Sequence, residues 1–327
     1  MKALVTGARG FIGSHLVEAL LKKKYEVRCL LRKKKVAAAW LQNLEIEIVE
    51  GDLTRPESLL GAVKDMEYVF HLAGSTKAYS KGEFDKSNFG GTKNLLEATA
   101  KANPTIKRFV HVSSLAVGGP SRDGTALTEN EPSHPVSNYG RSKLKAENAA
   151  LEHAKEIPVA IVRPPAVYGP RDKDMFELFK YARRGRCLEI VGGTQQLSMI
   201  YVKDLVNGII LAAEKDEAAG QVYYLCNDEV YSVKAVGNLL AGSFRKKASG
   251  LKIPLFVVFL LSCGGEVYSK LLKRPSLFSL DKYREIKQTN WICDNSKAKK
   301  ELGFSVEFSL RDGFKETADW YLTNGWL

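Results

Sequence analysis

The stretch Met1-Lys-Ala-Leu-Val-Thr-Gly-Ala-Arg-Gly-Phe-Ile-Gly-Ser14 decides the fold. Residues 2–6 read as a short buried strand, and Gly7, Gly10 and Gly13 follow it. Phe11, Ile12, Leu16, Val17 and Leu20 then recur at helical spacing. A strand that turns at once into a helix aims the free N–H groups of the first helical turn at whatever lies above. Glycines let the backbone approach a pyrophosphate closely, and one of them lets the helix pack tightly on the strand. The turn, with Arg9 inside it, predicts dinucleotide binding.

Residues 27–31, 44–49, 68–72, 108–113 and 159–163 read as further strands separated by helical patterning. Such alternation predicts an α/β protein with a Rossmann-type doubly wound parallel sheet, helices on both faces. Thr54 is the expected N-cap of a helix after Asp52, with Pro56 in its first turn. Residues 84–102 and 138–154 read as long helices with apolar faces. Beyond Arg163 proline and glycine become frequent. The dinucleotide-binding domain is therefore placed at 1–165, with segments near 200–226 (201–213 and 222–226) returning to it. A smaller C-terminal substrate lobe takes most of 166–327.

At 327 residues, 45% hydrophobic and 26% charged, the chain has the composition of a globular protein with a large core. Its five scattered cysteines form no C-x-x-C pair, and a strand beginning at residue 2 leaves no room for a signal peptide. Both point to reduced thiols and a cytoplasmic protein. The formal charge of +12 comes from separate clusters near helix ends without interleaved aromatics, so no nucleic-acid partner is expected. No metal site is expected either. Residues 253–261, Ile-Pro-Leu-Phe-Val-Val-Phe-Leu-Leu, are the most apolar run. They fall short of the ~20 residues of a spanning helix and suit a buried helix, a lid over an apolar pocket, or an interfacial patch in peripheral membrane contact.

A carboxylate at the end of the second strand would bind the ribose hydroxyls of NAD and repel a 2′-phosphate. Here the run is Leu31-Arg-Lys-Lys-Lys35. A guanidinium matches a phosphate in fork geometry, so Arg32, with Arg9 in reach, favours NADP(H), with NAD(H) as the alternative.

In Tyr139-Gly-Arg-Ser-Lys143 the i, i+4 spacing puts phenol and ammonium on one helix face. A free phenol, with a pKa of about 10, is a poor base at neutral pH, and a nearby cation is expected to lower it by roughly 1–3 units. Tyr139 then exchanges a proton with a substrate oxygen while hydride moves at carbon, and Lys143 also holds the nicotinamide ribose. A hydroxyl from Ser113-Ser114, at the end of strand five, steadies the developing charge on that oxygen. His111, beside these serines, is expected to be packed rather than catalytic.

Thr6-Gly-Ala-Arg-Gly-Phe-Ile-Gly13, Val112-Ser-Ser114 and Tyr139-x-x-x-Lys143, in this order, resemble the extended short-chain dehydrogenase/reductase family. That family holds nucleotide-sugar epimerases and dehydratases, 3β-hydroxysteroid dehydrogenases and dihydroflavonol-type reductases. The resemblance implies catalytic Ser114 (Ser113 being the alternative), Tyr139 and Lys143. It implies cofactor contacts from Gly7, Arg9, Gly10, Phe11, Ile12 and Gly13, from Asp52 and Leu53 at the adenine edge, and from Leu72, Ala73 and Gly74. Ser113, Pro165 and Val167, with Tyr139 and Lys143, complete the set around the nicotinamide, and Asn88 braces the central strands. The helices 84–102 and 138–154 resemble those that build the family's homodimer.

Nucleotide-sugar epimerases, in this resemblance, carry asparagine where this chain has Ala166, and arginine-aspartate where it has Leu197-Ser198. Losing a charged clamp for a diphosphate argues against a nucleotide sugar. The expected activity is therefore interconversion of a secondary alcohol and a ketone on an apolar small-molecule substrate. The alternatives are a 4-epimerase or dehydratase with tightly bound NAD, and a dinucleotide-sensing regulator, from which Tyr139 and Lys143 argue away.

Overall fold

A computed structural model describes residues 1–32, 39–190, 195–276 and 278–327. The basic run at 33–35 lies outside the described residues. Seven strands form one sheet: β1 (Lys2–Thr6), β2 (Glu26–Leu31), β3 (Ile46–Glu50), β4 (Tyr68–His71), β5 (Arg108–Val112), β6 (Val159–Arg163) and β7 (Val222–Tyr224). All neighbours pair in parallel, in the order β7-β6-β5-β4-β1-β2-β3. The order reverses between β1 and β4, which opens a crevice above the carboxyl ends of these two strands.

The faces of the sheet follow from residue alternation. Ala3 and Val5 of β1 join Leu16, Val17 and Leu20 of α1 (Phe11–Lys22) on one side. Leu4 joins Leu95 and Leu96 of α2 (Gly91–Ala102) and Ala149 and Ala150 of α3 (Asn138–His153) on the other. The strand positions are buried throughout β4, β5 and β6, as expected of a parallel sheet covered on both faces.

Three expectations need correction. The helix expected over 84–102 is a short helix (Lys81–Phe84) running through a π-turn (Asp85–Gly90) into α2. The π-turn carries buried Asn88, whose carbonyl accepts from the Thr92 hydroxyl at 2.6 Å. Thr54 is not a cap: the Asp52 carboxylate, the stronger acceptor, takes both its N–H at 2.9 Å and its hydroxyl at 2.8 Å. A 3₁₀ turn (Pro56–Ser58) follows. Both segments returning near 200–226 reach the sheet: β7 joins its edge, and Val202–Glu214, here α4, is a helix packed on the same face as α1.

The third concerns 253–261: of the forms open to it, the buried helix is ruled out, because Leu255–Leu261 opens the largely exposed α5 (Leu255–Leu272), which continues through Gly264 and Gly265. Neighbouring α6 (Leu280–Ile286) packs against α5, with Phe259 and Tyr283 ring centroids 5.2 Å apart. Small paired strands complete the C-terminal part, among them Ala166–Tyr168 with Met199–Tyr201, and Gln196–Leu197 between Tyr231–Ser232 and Asn290–Trp291.

Candidate active site

The turn after β1 leaves no room for a side chain at Gly7 or Gly13. Gly7 has φ +74°, and a β-carbon there would lie 2.8 Å from the Ala73 nitrogen. A β-carbon on Gly13 would collide with the Gly7 carbonyl, which already accepts the Gly10 N–H at 2.8 Å. The N-cap of α1, Gly10, offers no side-chain acceptor, and the first turn holds no acidic residue. Its positive end is thus left to an external anion. Arg9 is exposed at this turn, and Phe11 and Ile12 are half-buried. The Thr6 hydroxyl accepts the Ala73 N–H at 3.2 Å, which pins Leu72, Ala73 and Gly74 across the glycine turn. Asp52 and Leu53 stand at the end of β3. The Thr54 N–H, helped by exposed Arg32, holds the Asp52 carboxyl below its ordinary range.

The second half of the site sits where β5 meets α3. Ser137 caps α3 by accepting the Gly140 N–H at 3.0 Å. One turn in, the Lys143 ammonium is buried and donates to the Val112 carbonyl at 2.7 Å. Burial lowers Lys143 to about 8, against the pull of Glu147. Tyr139 is half-buried, and desolvation pushes its phenol up to about 12, while the hydroxyl of Ser114 holds it down. The phenol is therefore not depressed by Lys143 as the spacing predicts, because burial dominates and the ammonium is turned to the strand end. Ser113 is buried, and its Oγ has no partner among the described residues. Leu115 N–H donates to the Pro164 carbonyl at 2.8 Å, which brings the segment holding Pro165 and Val167 alongside the two serines.

A cradle that side chains would fill, an uncapped helix start and an unpartnered buried hydroxyl all meet along the carboxyl ends of β1, β4 and β5. The residues present fit a dinucleotide lying across them.

A model of the NAD-dependent epimerase/dehydratase family matches residues 3–226. The chain belongs to this family. It is 35% identical to a ceramide reductase of Caulobacter vibrioides over 99% of this chain and 95% of that one. It is 28% identical to a mouse sterol-4-alpha-carboxylate 3-dehydrogenase (decarboxylating), over 97% of this chain and 90% of that one. Among solved structures, MoeE5 in complex with UDP-glucose and NAD superposes with a TM-score of 0.80 at 27% identity, covering 99% of both chains. The protein is thus an NAD-dependent oxidoreductase or epimerase of the extended short-chain dehydrogenase/reductase type.

Several contacts support this family site, of which those of Asp281 and of the Glu147–Arg163 pair were not visible in the sequence. Asn88 ties the loop after β4 to α3: its amide donates to the Ser75 carbonyl at 3.0 Å and to the Ser142 hydroxyl at 2.9 Å. Asp281 of α6 accepts the N–H groups of Asn138 (2.6 Å) and Tyr139 (3.2 Å), a cap delivered across the molecule onto the tyrosine's own turn. Glu147 and Arg163 form a buried pair at 2.6 Å below Lys143. His111 is packed, as expected: it stacks on His71 at 5.4 Å, and His71 bridges Thr6 (2.7 Å) and Thr92 (2.9 Å). On the substrate side, Leu197 packs against the core and Ser198 is buried, its Oγ accepting the Cys293 N–H at 3.0 Å. Ala166 is exposed beside them.

Proposed function

We propose that the protein is an NADP(H)-dependent reductase that interconverts a ketone and a secondary alcohol on a lipid-like substrate. One observation carries the substrate class. At the two positions where a nucleotide-sugar enzyme would need a charged clamp stand Leu197, packed in the core, and Ser198, spent on a backbone hydrogen bond. Neither can neutralise a diphosphate. The names of the relatives support the same class, one being a ceramide reductase and another a sterol dehydrogenase.

Gly7, Arg9, Gly10, Phe11, Ile12 and Gly13 would hold the pyrophosphate, and Asp52 and Leu53 the adenine edge. Leu72, Ala73 and Gly74 would lie along the ribose, and Ser113, Pro165 and Val167 would flank the nicotinamide. Arg32, with Arg9, would take the 2′-phosphate. When bound, the nicotinamide supplies the hydride or accepts it. Tyr139, neutral with its phenol at about 12, is poised as a proton donor to a ketone oxygen. Ser114 donates a hydrogen bond to the same oxygen. Lys143, still largely charged at neutral pH with its pKa at about 8, would contact the nicotinamide ribose and, turned from the Val112 carbonyl, would stabilise the phenolate left behind.

The test is turnover of a long-chain ketone, a sterol-type ketone and UDP-glucose, by wild type and by Tyr139→Phe. Removing a general acid costs roughly 10²–10⁴-fold, so Tyr139→Phe should reduce the apolar ketones at least about 100-fold more slowly. Equal rates would remove Tyr139 from the chemistry. Turnover of UDP-glucose without added cofactor would replace the reductase by an epimerase.

A further inference from the structure

Helix α5 has its polarity inside out. Only Val258, Ser262 and Ser269 of its eighteen residues are buried. At about 100° per residue these three share an arc of about 40°, facing the protein. On the opposite side Phe256, Leu260, Val267 and Leu271 fall within about 60° of one another, and they are 64%, 61%, 58% and 77% exposed. Phe278, just past the helix, is exposed as well. By contrast, Leu151 is the only exposed large apolar side chain of α2 and α3 among the described residues. A soluble surface rarely carries so contiguous an apolar stripe without a use for it.

The charge around the stripe says what covers it. From residue 245 to 274 the basic side chains are Arg245, Lys246, Lys247, Lys252, Lys270, Lys273 and Arg274, and the sole acidic one is Glu266. All of these basic residues are exposed. Lys270 follows the stripe and is 3.6 Å from Glu266. Lys273 and Arg274 close the helix end. An apolar face rimmed by cations matches the boundary between acyl chains and anionic headgroups.

By length and composition its 18 residues are apolar enough to cross a membrane, but the helix is seated on the protein surface, with Val258, Ser262 and Ser269 packed against the protein. Gly265 packs so closely on the Phe278 carbonyl that no β-carbon fits, and Phe259 stacks on Tyr283 of α6.

We propose that α5 docks the protein in-plane on anionic phospholipid membranes. The next helix, α6, carries the Asp281 cap on the first turn of α3, so the docked face lies one element away from Tyr139. This surface goes beyond the reductase assignment and stands whatever the substrate is.

The test is flotation of the full-length protein with vesicles of phosphatidylcholine alone or with phosphatidylglycerol, alongside light scattering. Wild type should float with the anionic vesicles, and high salt should weaken this binding. Leu260→Glu with Leu271→Glu should weaken it at least tenfold with the melting temperature kept, since both side chains are exposed. Lys273→Glu with Arg274→Glu should abolish the preference for anionic over neutral vesicles. Wild type left unbound by anionic vesicles overturns the proposal. So does a dimer that the double leucine variant dissociates while no vesicle binds, which would give the stripe to a second copy of the chain.

Discussion

Lys143 shows what a buried charge does to its neighbours. Its ammonium, hydrogen-bonded to the Val112 carbonyl, lies behind two fully buried imidazoles. Burial, reinforced by Lys143, takes His71 down to about 3 and His111 well below its ordinary value. Both rings are therefore neutral in the fold across the mildly acid range, whereas in the unfolded chain they take up a proton near pH 6.5. As pH falls below 6.5, the unfolded state binds the extra protons and stability drops until the folded values are reached. His71 should cost about 2 kcal/mol between pH 7.5 and pH 5, and His111 lowers stability in the same direction. His71 cannot be replaced cleanly, because it bridges Thr6 and Thr92. His111 can, since neither ring nitrogen has a partner among the described residues. His111→Leu should therefore lose less stability than wild type over that pH interval, read by urea unfolding at the two pH values. Parallel losses would mean that His111 is not the neutral ring described.

At the scale of elements, α3 depends on a partner far away in sequence. Its first turn has free N–H groups that a carboxylate satisfies best, and Asp281 supplies both oxygens, one to Asn138 and one to Tyr139. Losing a cap costs about 0.5–2 kcal/mol. Asp281→Ala should lower stability by about 1 kcal/mol and reduce kcat more than it raises KM, because the tyrosine's own turn loosens. A melting curve and steady-state kinetics on a short ketone check both, and an unchanged kcat would confine Asp281 to stability. This cap also marks how far the sequence could be read. The glycine turn, β1 to β6, α1 and the Tyr139/Lys143 face rest on local period and spacing, and all stand where the chain predicts them. Asp281 reads locally as an ordinary first-turn acid of α6, whose own cap is Ser279. Its real use is fixed by how the C-terminal lobe closes on the sheet. The π-turn at Asn88 and the Glu147–Arg163 pair were hidden for the same reason, being products of packing between distant segments. The length of α5 was missed because the Gly264-Gly265 pair reads as a stop, whereas Gly265 is needed for close approach to Phe278.

For the whole molecule, the cofactor cleft gathers its walls from β1, β3, β4, β5, α3 and the 164–167 segment, so binding there is tied to global folding. A ligand that binds only the native state at 100 times its Kd adds about 2.7 kcal/mol. In a chain of this size that raises the melting temperature on the order of 5 °C. The shift can therefore discriminate between dinucleotides without any substrate. NAD dependence is a property of the family, and the finer preference turns on the end of β2. There Arg32 is exposed close to Asp52, and no acidic residue occupies 31–35 to repel a phosphate. NADPH should raise the melting temperature more than NADH at equal concentration. Arg32→Ala should erase the difference by lowering the NADPH shift, leaving the NADH shift in place, because a guanidinium that grips the 2′-phosphate has nothing to hold on NADH. If NADH protects the wild type as well as NADPH does, Arg32 is only a solvated charge at the end of β2, and the preference for the phosphorylated cofactor fails.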